Sequence, residues 1–276
     1  MISSIISYGI PILLAAIGGY MTDISGKLNI ALEGLILLGA FSAYLVMFTT
    51  SSYLITFIVS ALVPAVIAAL FASLTTRLRG NIFITGLAMN LLIPGFIALL
   101  SNKFFATSGV LHLQSASYFS FNTLVWIFSL LIVLIYISSY IILYQTKAGL
   151  TLRASGLNQR ALQIRGGDPD RIQILAFGFS GLLCGLSGTF LTLTIHAFVP
   201  NISSGKGWLA LAAIYLGDRK LSGLIYATIF FSAAEMTANF AQGQFDLPAS
   251  LFLGFPYLIT FLGLIVRSQI IRNRDH

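Results

Sequence analysis

The chain has 276 residues, of which 57% are hydrophobic and only 8% charged, with a mean hydropathy of +0.93. Soluble domains carry about 25% charged residues, and disordered chains are poorer still in apolar ones, so both classes are excluded and a polytopic membrane protein remains. The formal net charge of +7 does not indicate nucleic-acid binding, because the 15 Lys and Arg residues are scattered between long apolar runs and form no single patch.

The N-terminal stretch MISSIISYGIPILLAA has no basic residue ahead of its apolar run, the first being Lys27, and is therefore expected not to be a cleaved signal peptide. A helix that crosses about 30 Å of hydrocarbon needs about 20 predominantly apolar residues. Runs of this kind lie at 4–21, 28–48, 53–76, 82–101, 121–144, 172–196, 221–241 and 248–266. The linker Thr22-Asp23-Ile24-Ser25-Gly26-Lys27 is short and mixed, so the first two runs read either as two spans or as one interrupted pair. A ninth run, WLALAAIYLG at 208–217, is too short to span alone. Helices of that sort line cavities in transporters, where protein or water satisfies the freed backbone. The prediction is an all-α polytopic protein with about eight to nine membrane segments, some short or broken, forming one domain over 1–276.

With the N-terminus outside, the connections at 22–27, 77–81, 145–171, 218–220 and 267–276 are cytoplasmic and hold 13 of the 15 basic residues. Only Lys103 and Lys206 fall outside, a bias that follows the positive-inside rule and places the C-terminus inside. Five of these residues, Lys147, Arg153, Arg160, Arg165 and Arg171, sit in the loop 145–171. Within that loop Leu157–Ile164 reads as a short amphipathic helix, with Leu157, Ala161 and Ile164 on one face and Gln159, Arg160 and Gln163 on the other, ended by Gly166-Gly167-Asp168-Pro169. A short amphipathic helix flanked by turns suits docking into a groove of a soluble partner.

Few groups inside the spans carry chemistry. Glu33 and Glu235 are the two carboxylates well inside candidate helices, Glu33 about five residues from the inner end and Glu235 about six from the outer end of its run. Each either reaches the interface, bonds a neighbouring helix or faces a cavity. Asn90 needs a partner for the same reason, either another helix or a ligand. Gly181, Gly185 and Gly188 form a small-residue face that favours close helix packing, and Cys184, the only cysteine, reads as a small packed residue. The fragments Ser25-Gly26-Lys27 and Ser204-Gly205-Lys206 lack the glycine offset and the following Ser or Thr of a phosphate loop, so ATP binding by that route is excluded. His112, His196 and His276 show no zinc-binding spacing, and no metal or other cofactor is expected in this chain.

The segment SGKLNIALEGLILLGAF at 25–41 resembles the second-helix signature of membrane permease subunits of ABC importers, in the ribose and branched-chain amino acid superfamily. Asn29-Ile30 followed by Glu33-Gly34 and Gly39-Ala40-Phe41 resembles its nucleoside-importing branch. Three further segments agree in order: ITGLAMNLL at 84–92, the stretch 153–188, and HAFVPNISSGKGWLALAAIYLG at 196–217. The sequence departs from the family form at Ala31-Leu32, where a glycine-containing pair is more usual, and at Asp218-Arg219-Lys220-Leu221, which replaces a Pro- or Gly-containing turn.

The resemblance implies a permease, not itself an enzyme, that pairs with a second, homologous permease chain. It further implies cytoplasmic ATPase subunits that consume the ATP, and an extracytoplasmic binding protein, often a lipoprotein, that delivers solute. Carried onto this sequence, it implies a substrate path near Asn29, Glu33 and Asn90, with Phe198 and the segment starting near Gly205 and Trp208 at the outer mouth. Glu235 joins this set from its place inside a span, and Arg153, Asn158, Arg160 and Gly166 would mark the loop that couples to the ATPase. A nucleoside is the expected solute, with simple sugars and then branched-chain amino acids as alternatives. A proton-coupled transporter using Glu33 or Glu235, and a non-transporting scaffold, are the readings from other classes.

Overall fold

A computed structural model describes residues 2–78, 80–113 and 119–244. The predicted span at 248–266, the tail with Arg267, Arg272, Arg274 and His276, and Arg79 lie outside the described residues. In chain order the elements are α1 (Ile2–Ile24), α2 (Leu32–Thr50), α3 (Tyr53–Arg77), α4 (Ile82–Phe105), β1 (Leu111–His112) and α5 (Phe121–Gln145). They continue with α6 (Lys147–Leu157), α7 (Gln159–Ile164), α8 (Pro169–Ile195), β2 (Ala197–Phe198), α9 (Lys206–Leu216) and α10 (Leu221–Gln244).

Seven of these helices, α1 to α5, α8 and α10, are long and apolar enough to cross a membrane, which makes the chain a multi-pass membrane protein. The segments 4–21 and 28–48 are two separate helices, although the second starts later than its apolar run. Polar side chains punctuate the ends: Asn81 accepts from the amides of Phe83 and Ile84 to start α4, and Asp168 accepts from Asp170 and Arg171 to start α8. The α9–α10 turn carries Asp218 and Arg219 at positive φ, 60° and 52°, which is why a glycine-containing turn would be expected there.

The centre of the bundle is α8, packed against α1, α2 and α3. Its glycines permit this. A Cβ on Gly188 would strike the carbonyl of Ile36 and the amide of Ala40, and one on Gly181 would strike the carbonyl of Pro64. Between these contacts α8 hydroxyls donate across helices, Thr192 to the Ala40 carbonyl at 2.9 Å and Ser187 to the Pro11 carbonyl at 3.0 Å. Cys184 is fully buried in the same seam, as a small packed residue.

The two ends of the bundle differ. At one end Asp23 receives Arg219 at 2.7 and 3.0 Å, and Lys27 donates to Thr76 at 2.7 Å. The Ser25 carbonyl there accepts from Ser155 and Gln173. The described connections expected on one face of the membrane thus share one end, called here the basic end. At the opposite end β1 and β2 pair antiparallel, Leu111 with Phe198 and His112 with Ala197, the one small departure from an all-α fold among the described residues.

Candidate functional site

The broken backbone at the start of α2 explains the polar residues of its run. Residues 25–31 are not α-helical, so their amides and carbonyls need partners inside an apolar bundle. Asn29 supplies one: its Oδ1 accepts the Ala31 amide at 3.0 Å, and its Nδ2 donates to Ser180 of α8 at 3.1 Å. Asn90 of α4 supplies two more, donating to the Ile30 carbonyl and accepting the Gly34 amide, each at 2.8 Å. Its partner is therefore another helix. Asn90 is eight residues from the start of α4, about 12 Å along its axis, which puts the start of α2 well inside the bundle.

The chain breaks a second time before α9. Ser204 and Gly205 have positive φ, 45° and 83°, and the turn aims its amides at one point. That point is the carboxylate of Glu33. Oε1 accepts from the Ser203 hydroxyl and from the Gly205 amide at 2.8 Å, and Oε2 accepts from the Gly207 amide at 2.7 Å. The approach is close enough that a Cβ on Gly207 would collide with the backbone of Glu33. The fragment Ser204-Gly205-Lys206, which fails as a phosphate loop, is thus a nest for an anion, and the anion comes from the protein itself.

Glu33 consequently does not reach for the interface, although its place near the inner end of an apolar run allowed that. Two helix N-termini, of α2 and α9, converge on its carboxylate, each carrying about half a positive charge. Beside them Lys206 and Glu235 of α10 form an ion pair at 2.7 Å, with side chains only 8% and 14% exposed. Lys206, expected in an outer loop, is a buried residue of the bundle interior. The next segment of chain also differs from expectation. α9 runs from Lys206 to Leu216, about 16 Å, and ends beside Arg219 at the basic end, so Gly205 and Trp208 begin near mid-bundle and not at an outer mouth.

Asn29, Glu33, Asn90 and, through Lys206, Glu235 form one cluster. Phe198 does not join it. Its ring lies at the opposite end, 5.2 Å from Phe41 and near Tyr44. With Leu37, Pro94 and Asn201 it lines a cavity of about 60 Å³. Trp208 is exposed on α9. Nothing in the sequence marks Ser203 and Gly207 beyond the small, polar run Ser203-Ser204-Gly205-Lys206-Gly207 ahead of a short apolar segment.

At the basic end, the loop 145–171 forms two helices and not one, because the Asn158 side chain caps α7 by accepting the Ala161 amide at 3.0 Å. Leu162 alone of α7 is buried, at 6% exposure, whereas Leu157 and Ile164 stand 87% and 86% exposed. Arg160 is exposed beside them, Gly166 ends α7 at φ 78°, and Arg153 lies over the Tyr144 ring at 5.5 Å. Near the same end the ammonium of Lys27 titrates below the usual lysine range because it is partly desolvated, an effect opposed by the nearby charge of Asp170. Among the described residues no group of three or more His, Cys, Asp or Glu is placed to hold a metal ion.

Comparison with known proteins matches residues 1–264 to the family described as branched-chain amino acid transport system / permease component. The nucleoside ABC transporter permease protein NupC of Lactococcus lactis is 25% identical over 96% of this chain and 90% of its own. The guanosine ABC transporter permease protein NupQ of Bacillus subtilis is 27% identical over 93% of this chain and 88% of its own. Among solved structures, PsaBC from Streptococcus pneumoniae, in complex with Fab, superposes with a TM-score of 0.54 at 16% identity, over 95% of this chain and 89% of that one, which is a likeness of fold.

Proposed function

The chain belongs to the branched-chain amino acid transport system / permease component family, and on that premise we propose that it is the permease subunit of an ABC importer for nucleosides. The observation that carries the reading is similarity along more than nine-tenths of the chain to two permeases named for nucleoside and guanosine transport. The geometry supports a neutral solute. The mid-bundle cluster holds two carboxylates and one ammonium, and the two helix N-termini at Glu33 offset the remaining negative charge. Such a junction offers no unbalanced charge to recruit the ammonium or carboxylate of a free amino acid. A nucleoside instead presents hydroxyls, a base edge and a flat ring, which neutral side chains can recognise.

In this reading the whole chain is one membrane domain, and a second, homologous permease completes the path. An extracytoplasmic binding protein delivers the solute. The basic end faces the cytoplasm, with the N-terminus outside and the C-terminus inside, in line with the distribution of Lys and Arg. The exposed apolar residues Leu157 and Ile164, flanked by Arg160, dock on a separate ATPase that binds and hydrolyses the ATP, while Arg153, Asn158 and Gly166 shape that surface. Asn29, Glu33, Asn90 and Glu235 set the geometry of the broken helices around the path, and Phe198 and Trp208 lie along its two halves.

The test of substrate class is competition. Uptake of labelled guanosine or uridine by cells carrying the complete system should be suppressed by excess unlabelled nucleoside and left unchanged by ribose or leucine. Suppression by ribose alone would move the assignment to simple sugars.

A further inference from the structure

α6 meets the break between α1 and α2 with almost nothing between the two backbones. Ser155, fully buried, donates its hydroxyl to the Ser25 carbonyl at 3.0 Å, and Gln173 of α8 donates to the same oxygen at 3.2 Å. Beside them Gly156 lies against Ile24 and Gly26. A Cβ on Gly156 would strike the Ile24 carbonyl, and one on Gly26 would come within 3.0 Å of the Gly156 Cα. Gly26 also has a φ of 95°, which residues with a side chain rarely adopt. Where backbone touches backbone there is no flexible side chain to absorb a displacement, so a shift of α6 carries residues 24–26 with it.

Those residues open the irregular stretch 25–31, which passes through Asn29 and delivers the chain to Glu33. A second connection starts two residues before Ser25. Asp23 accepts two hydrogen bonds from the Arg219 guanidinium, at 2.7 and 3.0 Å. Arg219 follows the end of α9, and the first turn of α9 holds the Glu33 carboxylate through the Gly207 amide. The chain from Ser25 to Glu33, the nest at Glu33, α9 and the pair of Asp23 and Arg219 thus close a ring of contacts. A movement that enters at Ser25 reaches Glu33 from both sides.

The other side of this part of α6 faces outward. Leu157, next to Gly156, stands 87% exposed, whereas Ser155 is inaccessible. α7 buries only Leu162, whose side chain lies beside Gly167 in the turn that follows. The exposed corner is therefore gripped by the bundle most rigidly at the end of α6, one residue from its outermost apolar side chain.

We propose that Ser155 and Gly156 are the positioning residues through which an ATPase bound at the exposed corner moves the break between α1 and α2, and with it the two broken helices registered at Glu33. The proposal rests on the reading of the α6–α7 corner as the docking surface and adds the point at which movement of that corner enters the membrane domain.

The measurement is solute moved per ATP hydrolysed, in proteoliposomes that hold the complete transporter, with labelled guanosine, or with labelled ribose if competition names a sugar. Ser155→Ala removes one of the two donors to Ser25 and leaves Leu157, Arg160 and Ile164 in place. Copurification of the ATPase and basal ATP hydrolysis should stay within about twofold of the unaltered transporter, while the ratio should fall about fivefold, as expected for loss of one buried hydrogen bond. Gly156→Ala, which forces the two backbones apart, should lower the ratio at least as far. A purely structural role would lower hydrolysis and uptake by the same factor and leave the ratio unchanged. An unchanged ratio in Ser155→Ala overturns the proposal, whatever the yield of the glycine variant. If Leu157→Glu and Ile164→Glu leave the ATPase bound, the docking reading is rejected instead, while the ratio in Ser155→Ala still decides whether this junction transmits movement.

Discussion

Glu33 and Gly207 stand 174 positions apart and meet at 2.7 Å, the carboxylate Oε2 accepting the Gly207 amide. This contact joins the starts of two helices that point away from each other, α2 toward the opposite end and α9 toward the basic end. Glu33 is therefore the pin at which both broken segments are registered, and much of the account depends on it.

Removing that pin should be costly. Glu33→Ala leaves the Ser203 hydroxyl and the amides of Gly205 and Gly207 without their acceptor, which amounts to about 3 kcal/mol or more. Glu33→Gln keeps one acceptor oxygen and should fall between. Thermal unfolding in detergent should rank the unaltered chain above Gln and Gln above Ala; equal midpoints would contradict the role.

Asn90 should behave as a brace for backbone. Asn90→Leu preserves much of the volume but strands the Ile30 carbonyl and the Gly34 amide, at a cost of about 2 kcal/mol or more. The expected result is a lower unfolding midpoint whether or not nucleoside is present. A ligand-binding Asn90 would instead leave the midpoint of the unliganded protein intact.

The Lys206 and Glu235 pair should show strong coupling. Lys206→Met alone leaves a buried carboxylate uncompensated, which costs about 3–5 kcal/mol. Adding Glu235→Leu removes the stranded charge, so the double variant should regain most of the loss. Additive losses in a double-mutant cycle would show that the two residues do not interact.

The exposed residues of the α6–α7 corner should matter for assembly but not for folding. Leu157→Glu and Ile164→Glu place charge on side chains that touch little of this chain, so the unfolding midpoint should move by no more than about 0.5 kcal/mol equivalent. Copurification with the ATPase and nucleoside-stimulated ATP hydrolysis should both drop, with Arg160→Glu acting in the same direction. Unchanged copurification in all three would remove this corner from the docking surface.

Hydropathy alone was enough to read the described long spans, because bilayer thickness constrains helix length whatever the tertiary packing. It could not reveal where α2 begins. The run 28–48 is apolar throughout, and its helix starts only at Leu32 because Asn29 and Asn90 satisfy the bends before it, the latter from a segment about sixty residues away. Lys206 was misplaced for a related reason: a charge count by loops cannot see a partner 29 residues later in the chain. The spacing of Leu157, Ala161 and Ile164 reads as one face of a single helix, but the cap at Asn158, set by local backbone geometry, puts Leu157 on α6 and leaves Leu162 as the buried residue of α7.

The most direct test of the central claim is energised uptake in proteoliposomes that contain this chain, the proposed second permease, the ATPase and the binding protein. Labelled guanosine should accumulate only when ATP is supplied on the ATPase side, and should stop on omission of the ATPase. Accumulation driven by a pH gradient with this chain alone and no ATP would contradict the account.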